Sequence, residues 1–413
     1  MAVTPFTPND SYTLMGDIAK QATGREGLAP LDLTSFISVG ETVLRTGTEN
    51  VLNAITAVIS RTIFSARPYR STLKTLYVPE QRWGGIVRKI TPLSLDSEPS
   101  QDYNTNINPT QLADGESIDM YKINAPKAVE LHFTGSNVLQ RHITRFTNQL
   151  NAAFHNPSEF MAFISSVMIE FWNDVETDNE NRTRLTLAAY MAGLYSMGNN
   201  VVDFTAKFNQ YYGTTYTRTE ILHSHLTEFM QFFVAEVQLI SKRLRNRSAL
   251  YHENLTGYKP ILRHTPYSKQ RMYLLSEIFV RAQATVFSEI FNPIYLELGR
   301  NFEQVDFWQS QQDPFALDVI PKVLDTATGA TKDGGTVNLP FVVGAIFDEE
   351  AVGVMPIFEE ATSTPLNAAA RYYNMFLHWN FRSYIDFTEN GILFIMSENG
   401  DGSVTPQTRK TRR

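Results

Sequence analysis

Near the carboxyl end of the chain, apolar and polar residues alternate at every second position over a long stretch. The apolar set occupies odd-numbered positions, at Tyr373, Met375, Leu377, Trp379 and Phe381. A period of two predicts a strand with one apolar face and one mixed face. Asn390-Gly391 is a dipeptide typical of tight turns, so we expect a hairpin in which residues 392–396 form the partner strand.

Two shorter stretches with strand character flank a long polar segment. Residues 77–90 contain the run Trp83-Gly84-Gly85-Ile86-Val87, and residues 128–133 alternate apolar with polar side chains. The segment between them offers almost nothing to a core, and a polar loop of that length is unusual inside a compact domain. We therefore expect a two-stranded arm that projects from the body. Because an isolated hairpin is marginally stable in water, such an arm needs a neighbouring surface to lie on.

Apolar residues recur three and four positions apart in three parts of the chain, which predicts helices. The first part is residues 31–76. The second opens with Asn156-Pro157-Ser158-Glu159, a helix start with Asn as N-cap, and its pattern resumes after the acidic patch at 174–180. The third opens with Thr217-Arg218-Thr219-Glu220, the sequence of a capping box, and continues to Arg247 as one rod of about 40 Å. Strand patterns return at 341–348 and 351–358, so the element order predicts an α+β fold.

Composition narrows the class of protein. The chain has 413 residues, of which 43% are hydrophobic, enough for two or three domains with a real core. It contains no cysteine, which excludes disulfides, thiolate metal sites and cysteine nucleophiles. A net charge of −7 argues against a general nucleic-acid binder. No signal peptide is evident, and the longest apolar stretch, 185–197, is too short to span a bilayer, so we expect a soluble protein.

Two basic groups are the candidates for contact with DNA or with a neighbouring subunit. The first follows the amino-terminal helical pattern and consists of Arg61, Arg67 and Arg70. The second lies in the carboxyl-terminal tail and consists of Arg409, Lys410, Arg412 and Arg413. A solvated surface is the alternative explanation for both groups.

The candidate metal sites have the wrong spacing. His223 and His225 are two positions apart, which on a helix directs them to different sides. Acids at positions 174, 176, 178 and 180 match the start of a calcium loop, but Asn179 and Leu185 stand where that loop requires Gly and Glu. We therefore expect an acidic helix face or turn, and no metal site.

No enzyme signature is complete. Asp348-Glu349-Glu350 and Glu359-Glu360 offer carboxylates for a glycosidase pair, yet each cluster borders an apolar strand, where a solvated turn is the ordinary explanation. Residues 329–332 resemble a fragment of a phosphate loop without its first glycine, its spacing or its hydroxyl. The sequence predicts neither an enzyme nor a cofactor.

The carboxyl-terminal segment resembles that of tailed-phage major capsid proteins, most closely those of small podophage-like viruses and uncultured gut phages. The similar elements are a strand ending in Asp348, the apolar run at 351–354, Thr364-Pro365-Leu366-Asn367 before Tyr372-Tyr373-Asn374, and Asp386 before Glu389-Asn390. The rest of the chain matches that family in the order of its elements. The family's Lys–Asn cross-link, found in some members, has no matching motif here.

This resemblance implies the Hong Kong 97-like capsid fold, an α+β fold with an N-arm, an extended hairpin loop, a long spine helix, and peripheral and axial domains. The implied boundaries are an N-arm at 1–70, an extended loop (E-loop) at 71–128, a peripheral domain at 129–200 with a spine helix within 157–197, an axial domain with connecting helices at 201–337, carboxyl-terminal strands at 338–396 that complete the core, and a flexible basic tail at 397–413.

The resemblance also implies the function. Subunits would assemble as hexamers and pentamers into an icosahedral shell around double-stranded DNA, which they contact without sequence preference. A portal and a separate scaffolding protein are implied partners, and no membrane is. The resemblance further implies that the shell assembles in the cytoplasm of the host bacterium and that the protein remains in the virion. Two alternatives stay open: a nanocompartment shell protein of the same fold, and an α+β carbohydrate hydrolase using Glu359 or Asp348.

Overall fold

A computed structural model describes the chain over residues 8–25, 30, 32–46, 50, 54, 73–78, 86–93, 95, 119–121, 123, 125, 127–134, 137–146, 157–198, 200–278, 280, 302–365, 367 and 369–400. The chain divides into two compact units, each built from three separate stretches. The first comprises Met1–Trp83, Gly135–Arg184 and Gly353–Ser383. The second comprises Gly84–Thr134, Leu185–Val352 and Tyr384–Arg413.

The α-helices and strands follow one another along the chain in mixed order. The helices are α1 (Pro8–Thr23), α2 (Leu33–Arg45), α3 (Pro157–Met197), α4 (Phe204–Tyr212), α5 (Arg218–Ser224) and α6 (Leu226–Leu244). The strands of the amino-terminal half are β1 (Ile86–Pro92), β2 (Ala128–Thr134), β3 (Asn137–Phe146) and β4 (Val201–Asp203). The later strands are β5 (Gln270–Leu275), β6 (Phe302–Val305), β7 (Leu317–Val319), β8 (Lys322–Leu324), β9 (Thr331–Asp333), β10 (Val337–Leu339), β11 (Val342–Asp348), β12 (Val352–Ser363), β13 (Tyr372–Ile385) and β14 (Gly391–Ile395).

The first unit contains a three-stranded sheet in the order β12-β13-β3. Strand β13 buries its odd-numbered side chains from Tyr373 to Phe381, as the alternating pattern predicts. Leu377 and Trp379 of this face pack with Val175 of helix α3. The Trp379 indole N–H donates to Asn179 Oδ1 at 3.2 Å, so a large buried ring also has its polar atom satisfied.

The second unit is organised around a five-stranded mixed sheet in the order β4-β14-β11-β5-β6. Every residue of β11 and β14 is buried, because these strands lie at the centre of the sheet. Helices α4 and α6 contribute to an aromatic cluster on this sheet: the ring of Phe204 at the start of α4 lies 4.7 Å from that of Phe233 on α6 and 5.4 Å from that of Phe394 on β14, between centroids. The buried α6 residues include Phe229, Phe233, Val237, Ile240 and Leu244, the positions that the helical periodicity selects.

Several helix predictions are confirmed. Residues 157–197 form one unbroken helix that includes the acidic patch, so these acids lie on a helix and not in a calcium loop. The capping box is present at the start of α5, where Thr217 Oγ1 accepts from the Glu220 backbone and Glu220 accepts from the Thr217 backbone. Within residues 31–76, helix α2 and a 3₁₀ helix at Lys74–Leu76 are present, while residues 47–49, 51–53 and 55–72 lie outside the described part. Helix α1 has no counterpart among the predicted elements.

The single rod predicted from residue 217 to residue 247 is wrong. The chain breaks at His225, whose backbone has φ −120° and ψ 28° and so leaves the helical region. The His225 ring stacks on Tyr216 with centroids 4.3 Å apart, and its Nδ1 lies 3.1 Å from Glu228 Oε2. These two contacts hold the histidine in the position that joins α5 to α6.

The hairpin predicted at Asn390-Gly391 is also wrong. Strand β13 pairs with β3, whereas β14 pairs with β11 and β4, so the two strands belong to different sheets. Residues 386–390 form a buried polar turn instead, in which Asp386 accepts hydrogen bonds from the Thr388 backbone and hydroxyl. Gly391 begins β14, where a Cβ would lie 1.8 Å from the Tyr190 hydroxyl. Glycine is therefore required for close packing and not for a tight turn.

Candidate assembly site at the base of the two-stranded arm

Strands β1 and β2 form a two-stranded sheet at the residues where a two-stranded arm is predicted, and we refer to this pair of strands as the arm. They pair antiparallel from Ile86 opposite Thr134 to Pro92 opposite Ala128, and Arg88 forms a salt bridge with Glu130 across them. Residues 96–118, which lie between β1 and β2 in the sequence, are outside the described residues. The base is fixed by a small apolar cluster in which Leu93 and Val129 pack against Leu255 and Ile261.

The return path of the arm presents large apolar side chains to solvent. Met120, Tyr121 and Ile123 are 80%, 83% and 89% exposed. Ile90 and Leu95 on the outgoing side are more than half exposed. Single exposed apolar residues are ordinary, whereas several along one short segment are characteristic of interaction surfaces.

An ionic cluster joins the arm to the turn at residues 386–390. Lys89 Nζ lies 2.8 Å from Asp386 Oδ2, 2.5 Å from Glu389 Oε1 and 3.7 Å from Glu350 Oε2. The Asp386 and Glu389 side chains are buried, and Lys89 is mostly so. Burial lowers the pKa of Lys89, but Asp386 and Glu389 outweigh it, so its pKa lies above the ordinary value and the ammonium stays charged.

Arg263 supplies the second cation of the cluster. It lies 3.0 Å from Glu389 Oε1, donates from Nε to the Thr388 carbonyl at 3.1 Å, and donates to Thr91 Oγ1 on β1 at 3.0 Å. Lys89 and Arg263 therefore balance the two buried carboxylates of Asp386 and Glu389. Removing one member of such a group leaves an uncompensated buried charge.

A chain of buried hydrogen bonds continues from this turn. Thr265 Oγ1 donates to Asp348 at 2.8 Å and accepts from the Asn390 amide at 3.1 Å. His252 Nδ1 lies 3.0 Å from the Asn390 side chain, and its Nε2 lies 2.7 Å from the Ile261 carbonyl, which can only accept. The polar turn is thus tied to the segment between α6 and β5.

Burial sets the charge preferences at the two ends of this chain. Burial raises the pKa of Asp348, although hydrogen bonds from the Glu350 backbone and Thr265 oppose the rise. Burial also lowers the pKa of His252 and outweighs the hydrogen bonds from the ring to the Asn390 side-chain oxygen and the Ile261 carbonyl, which favour the protonated ring. Both ends therefore disfavour charge more than they would in water.

A model of the Phi29-like phage major capsid protein family matches residues 16–395 of this chain. The chain belongs to the Phi29-like phage major capsid proteins. It is accordingly a shell-forming structural protein of a phage head, and the resemblance seen in its carboxyl-terminal strands is confirmed. The predicted α+β class is confirmed by the structure.

Two solved capsid structures are similar to this capsid protein. The capsid structure of Staphylococcus phage Andhra is 12% identical, with a TM-score of 0.49, over 78% of this chain and 83% of that one. The capsid structure of the Cyanophage P-SCSP1u is 12% identical, with a TM-score of 0.45, over 82% of this chain and 92% of that one. No curated protein matches the sequence.

Both basic groups predicted to contact DNA or a neighbour in this capsid protein fall on residues that the structure does not describe. These are Arg61, Arg67, Arg70, Arg409, Lys410, Arg412 and Arg413. Their role stays a prediction.

The other candidate residues are engaged in structural contacts. Asp348 is buried in the hydrogen-bonded chain, Glu349 pairs with Arg271, and the Glu359 side chain lies outside the described residues. Residues 329–332 lie at the turn and start of the β8–β9 hairpin, where Lys332 pairs with Asp325 at 3.3 Å.

The acidic patch on α3 forms ion pairs inside the first unit. Asp174 and Asp178 bind Arg141, and Glu176 lies 2.6 Å from Lys74. Across the described parts of the chain, no group of three histidine or acidic side chains is placed to hold a metal ion. Nor is any helix in those parts long and apolar enough to cross a membrane.

Sequence reasoning missed Lys89 and Arg263. Neither belongs to a motif, and their carboxylate partners lie far along the chain. The one usable signal is the unusual pair Asp386 and Glu389 within a strongly apolar carboxyl-terminal region, since buried acids require cations.

Proposed function

We propose that this chain is the subunit of the icosahedral head of a tailed phage. It adopts the Hong Kong 97-like fold and assembles as hexamers and pentamers around double-stranded DNA. The family match over residues 16–395 carries the proposal. The subunit acts by assembly and not by catalysis, it forms shells in the cytoplasm of the host bacterium, and it remains in the virion.

The arm supports this function. It offers apolar side chains such as Tyr121 and Ile123 that its own unit leaves in water. A neighbouring subunit beneath the arm would bury them, at about 25 cal/mol for each Å² removed from water. The proposed E-loop, residues 71–128, contains these side chains.

The arm has a firm base for such a role. Lys89 and Arg263 connect β1 to the buried turn at 386–390 through ion pairs and hydrogen bonds. The apolar cluster that contains Leu93 and Val129 adds a second attachment, so the base of the arm is held to the rest of the second unit at two places. If the base were flexible, binding of the arm to a neighbour would have to order it, and the lost conformational entropy would weaken the binding.

Helix α3 supports the assignment of a spine helix. It is unbroken over 41 residues, a length of about 60 Å. We further propose an N-arm at 1–70, a peripheral domain at 129–200, an axial domain at 201–337, core-completing strands at 338–396 and a basic tail at 397–413.

Portal, scaffolding protein and packaged DNA are the proposed partners. The basic groups at 61–70 and 409–413 are the proposed DNA or neighbour contacts. Because a closed wall confines DNA without reading its sequence, contacts to phosphate suffice and the net charge of −7 is compatible.

Fractionation of the expressed full chain tests the function. We expect particles of megadalton mass on a sucrose gradient, with curved walls or closed shells in negative-stain images. The matched control replaces residues 96–118 by a short Gly-Ser turn, which should leave the circular dichroism spectrum intact and abolish the particles. A chain that stays monomeric at every concentration, also when it is expressed together with its scaffolding protein, refutes the proposal.

A further inference from the structure

The segment that joins α6 to β5 is strongly basic. Residues 242–269 contain seven lysines and arginines and one acid, Glu253, in a chain whose net charge is −7. Glu253 is buried. We call residues 242–269 the basic surface.

Three of the four cations at its start have no described carboxylate nearby, whereas Arg243 lies 3.9 Å from Glu236. Lys242, Arg245 and Arg247 are exposed, and no described carboxylate lies within 4.0 Å of them. The Arg245 guanidinium lies over the Tyr267 ring, 4.5 Å from its centroid. In the same segment, Leu250 and Tyr258 are 71% and 57% exposed. Arginine and tyrosine are among the side chains enriched in protein interfaces.

A second segment of the same unit has the opposite charge. Residues 303–318 contain four acids and no lysine, arginine or histidine. Asp306, Asp313 and Asp318 are exposed, and Asp313 and Asp318 lack a described lysine or arginine within 4.0 Å. Ile320, immediately after it, is 62% exposed. We call residues 303–318 the acidic surface.

These two surfaces lie at opposite ends of strand β11. At its carboxyl end, the Glu349 backbone donates to the Lys269 carbonyl and Asp348 accepts from Thr265, both within the basic surface. At its amino end, Val342 bonds to the Phe315 carbonyl and accepts from the Trp308 indole at 2.9 Å, both within the acidic surface. A strand of this length separates them by about 20 Å.

We propose that the basic surface of one subunit binds the acidic surface of the next subunit within a ring. The inference rests on the proposed shell function and names the partner of these surfaces as a second copy of the chain. When two subunits are joined through two different surfaces, the first subunit still has a free acidic surface and the second a free basic surface. Further subunits therefore add head to tail, and a ring closes when the rotation between neighbouring subunits adds up to a full turn.

A nucleic acid is the other partner that a basic surface fits. The second copy is favoured because the same unit carries an acidic counterpart at the opposite end of its sheet. Leu250 and Tyr258 favour it as well, because duplex phosphates bind cations without covering apolar side chains.

Charge reversal and its rescue test the proposal. The basic variant is Lys242→Glu with Arg247→Glu, the acidic variant is Asp313→Lys with Asp318→Lys, and the third variant combines all four. All four positions are exposed, so thermal unfolding of the dissociated subunits should match wild type. The charge-preserving control carries Lys242→Arg, Arg247→Lys, Asp313→Glu and Asp318→Glu.

Each two-residue reversal should lower the yield of particles by at least about tenfold, because like charges then face each other across the contact. The fourfold reversal should restore the yield to within about threefold of wild type, and the control should assemble normally. Reversed variants that assemble like wild type overturn the proposal while leaving the shell function intact, as does a fourfold variant without rescue.

A basic variant that forms normal shells but retains less nucleic acid assigns the basic surface to DNA instead. Absence of particles from wild type itself, with the scaffolding protein present, refutes the shell function.

Discussion

The ammonium of Lys89, on the first strand of the arm, lies 2.8 Å from the carboxylate of Asp386, 297 residues further along the chain. Asp386 is 1% exposed in its side chain, so this contact excludes water. The direction of the arm is thereby set by a turn near the carboxyl terminus, together with Glu389 and Arg263.

Replacing Lys89 by methionine should strongly destabilise the second unit. Asp386 and Glu389 would lose their shared cation while remaining buried, which costs about 3–5 kcal/mol in comparable cases. Urea unfolding of dissociated subunits measures the change. Arg88→Met is the matched control, because Arg88 is the preceding residue and its pair with Glu130 is largely exposed, so we expect little change. Equal losses in both variants contradict the role of Lys89.

Gly391→Ala should destabilise the protein through a steric clash. The added Cβ would lie 1.8 Å from Tyr190 Oη, and Tyr190 is fully buried against Phe347 and Phe387. Overpacking of this kind costs about 1–3 kcal/mol, and the free energy of unfolding in urea reports it.

The matched partner for this substitution is Tyr190→Phe. The Tyr190 hydroxyl is buried with no hydrogen-bond partner in the described structure, so its removal alone should cost little. In combination with Gly391→Ala it removes the nearest clashing atom and should recover much of the lost stability. A double-mutant cycle with no coupling energy would show that the two side chains do not collide.

Acidification should weaken the fold through His252. Its pKa is lowered by burial from 6.5, so between the folded pKa and 6.5 the unfolded chain binds the proton that the folded chain rejects. The stability is therefore present above about pH 6.5 and is lost as the pH falls toward the folded pKa. Unfolding free energies measured from pH 7.5 to pH 5 should fall in the wild type.

His252→Gln should flatten that pH dependence, because it removes the buried ring whose pKa is lowered. A variant that keeps the pH slope of the wild type would locate the effect elsewhere.

Tyr121→Ser with Ile123→Ser should reduce assembly without affecting the subunit. Both side chains are more than four-fifths exposed, so the unfolding temperature of the isolated subunit should not change. If a neighbouring subunit covers these side chains, each contact between subunits should lose about 1.4 kcal/mol or more of association free energy. The yield of particles should then fall by about tenfold or more. Tyr121→Phe retains the ring and should assemble normally. Unimpaired assembly of the double variant would remove the arm from the interface.

Local patterns predicted local structure well. The alternation around Trp379 identifies both strand β13 and its buried face, and Thr217 and Glu220 identify the start of α5, because each depends only on residues within one turn or one strand. The unbroken α3 follows in the same way from its apolar stripe.

Pairing between distant elements was predicted less well. Asn390-Gly391 has the composition of a hairpin turn, yet the Asn390 side chain forms hydrogen bonds with Thr265 and His252. Gly391 packs so closely against the Tyr190 hydroxyl that no side chain would fit. Those partners are distant in sequence, so no local rule contains them. The break at His225 likewise depends on a ring contact with Tyr216 that a periodicity count does not include.

The long separation between Lys89 and Asp386 also imposes an order on biosynthesis. A ribosome makes the arm early and the turn that anchors it nearly 300 residues later, at about 5–20 residues per second. During that interval the nascent polypeptide has its outgoing strand but not the carboxylates that neutralise it. The ion pairs at the base of the arm therefore form only when the polypeptide is nearly complete.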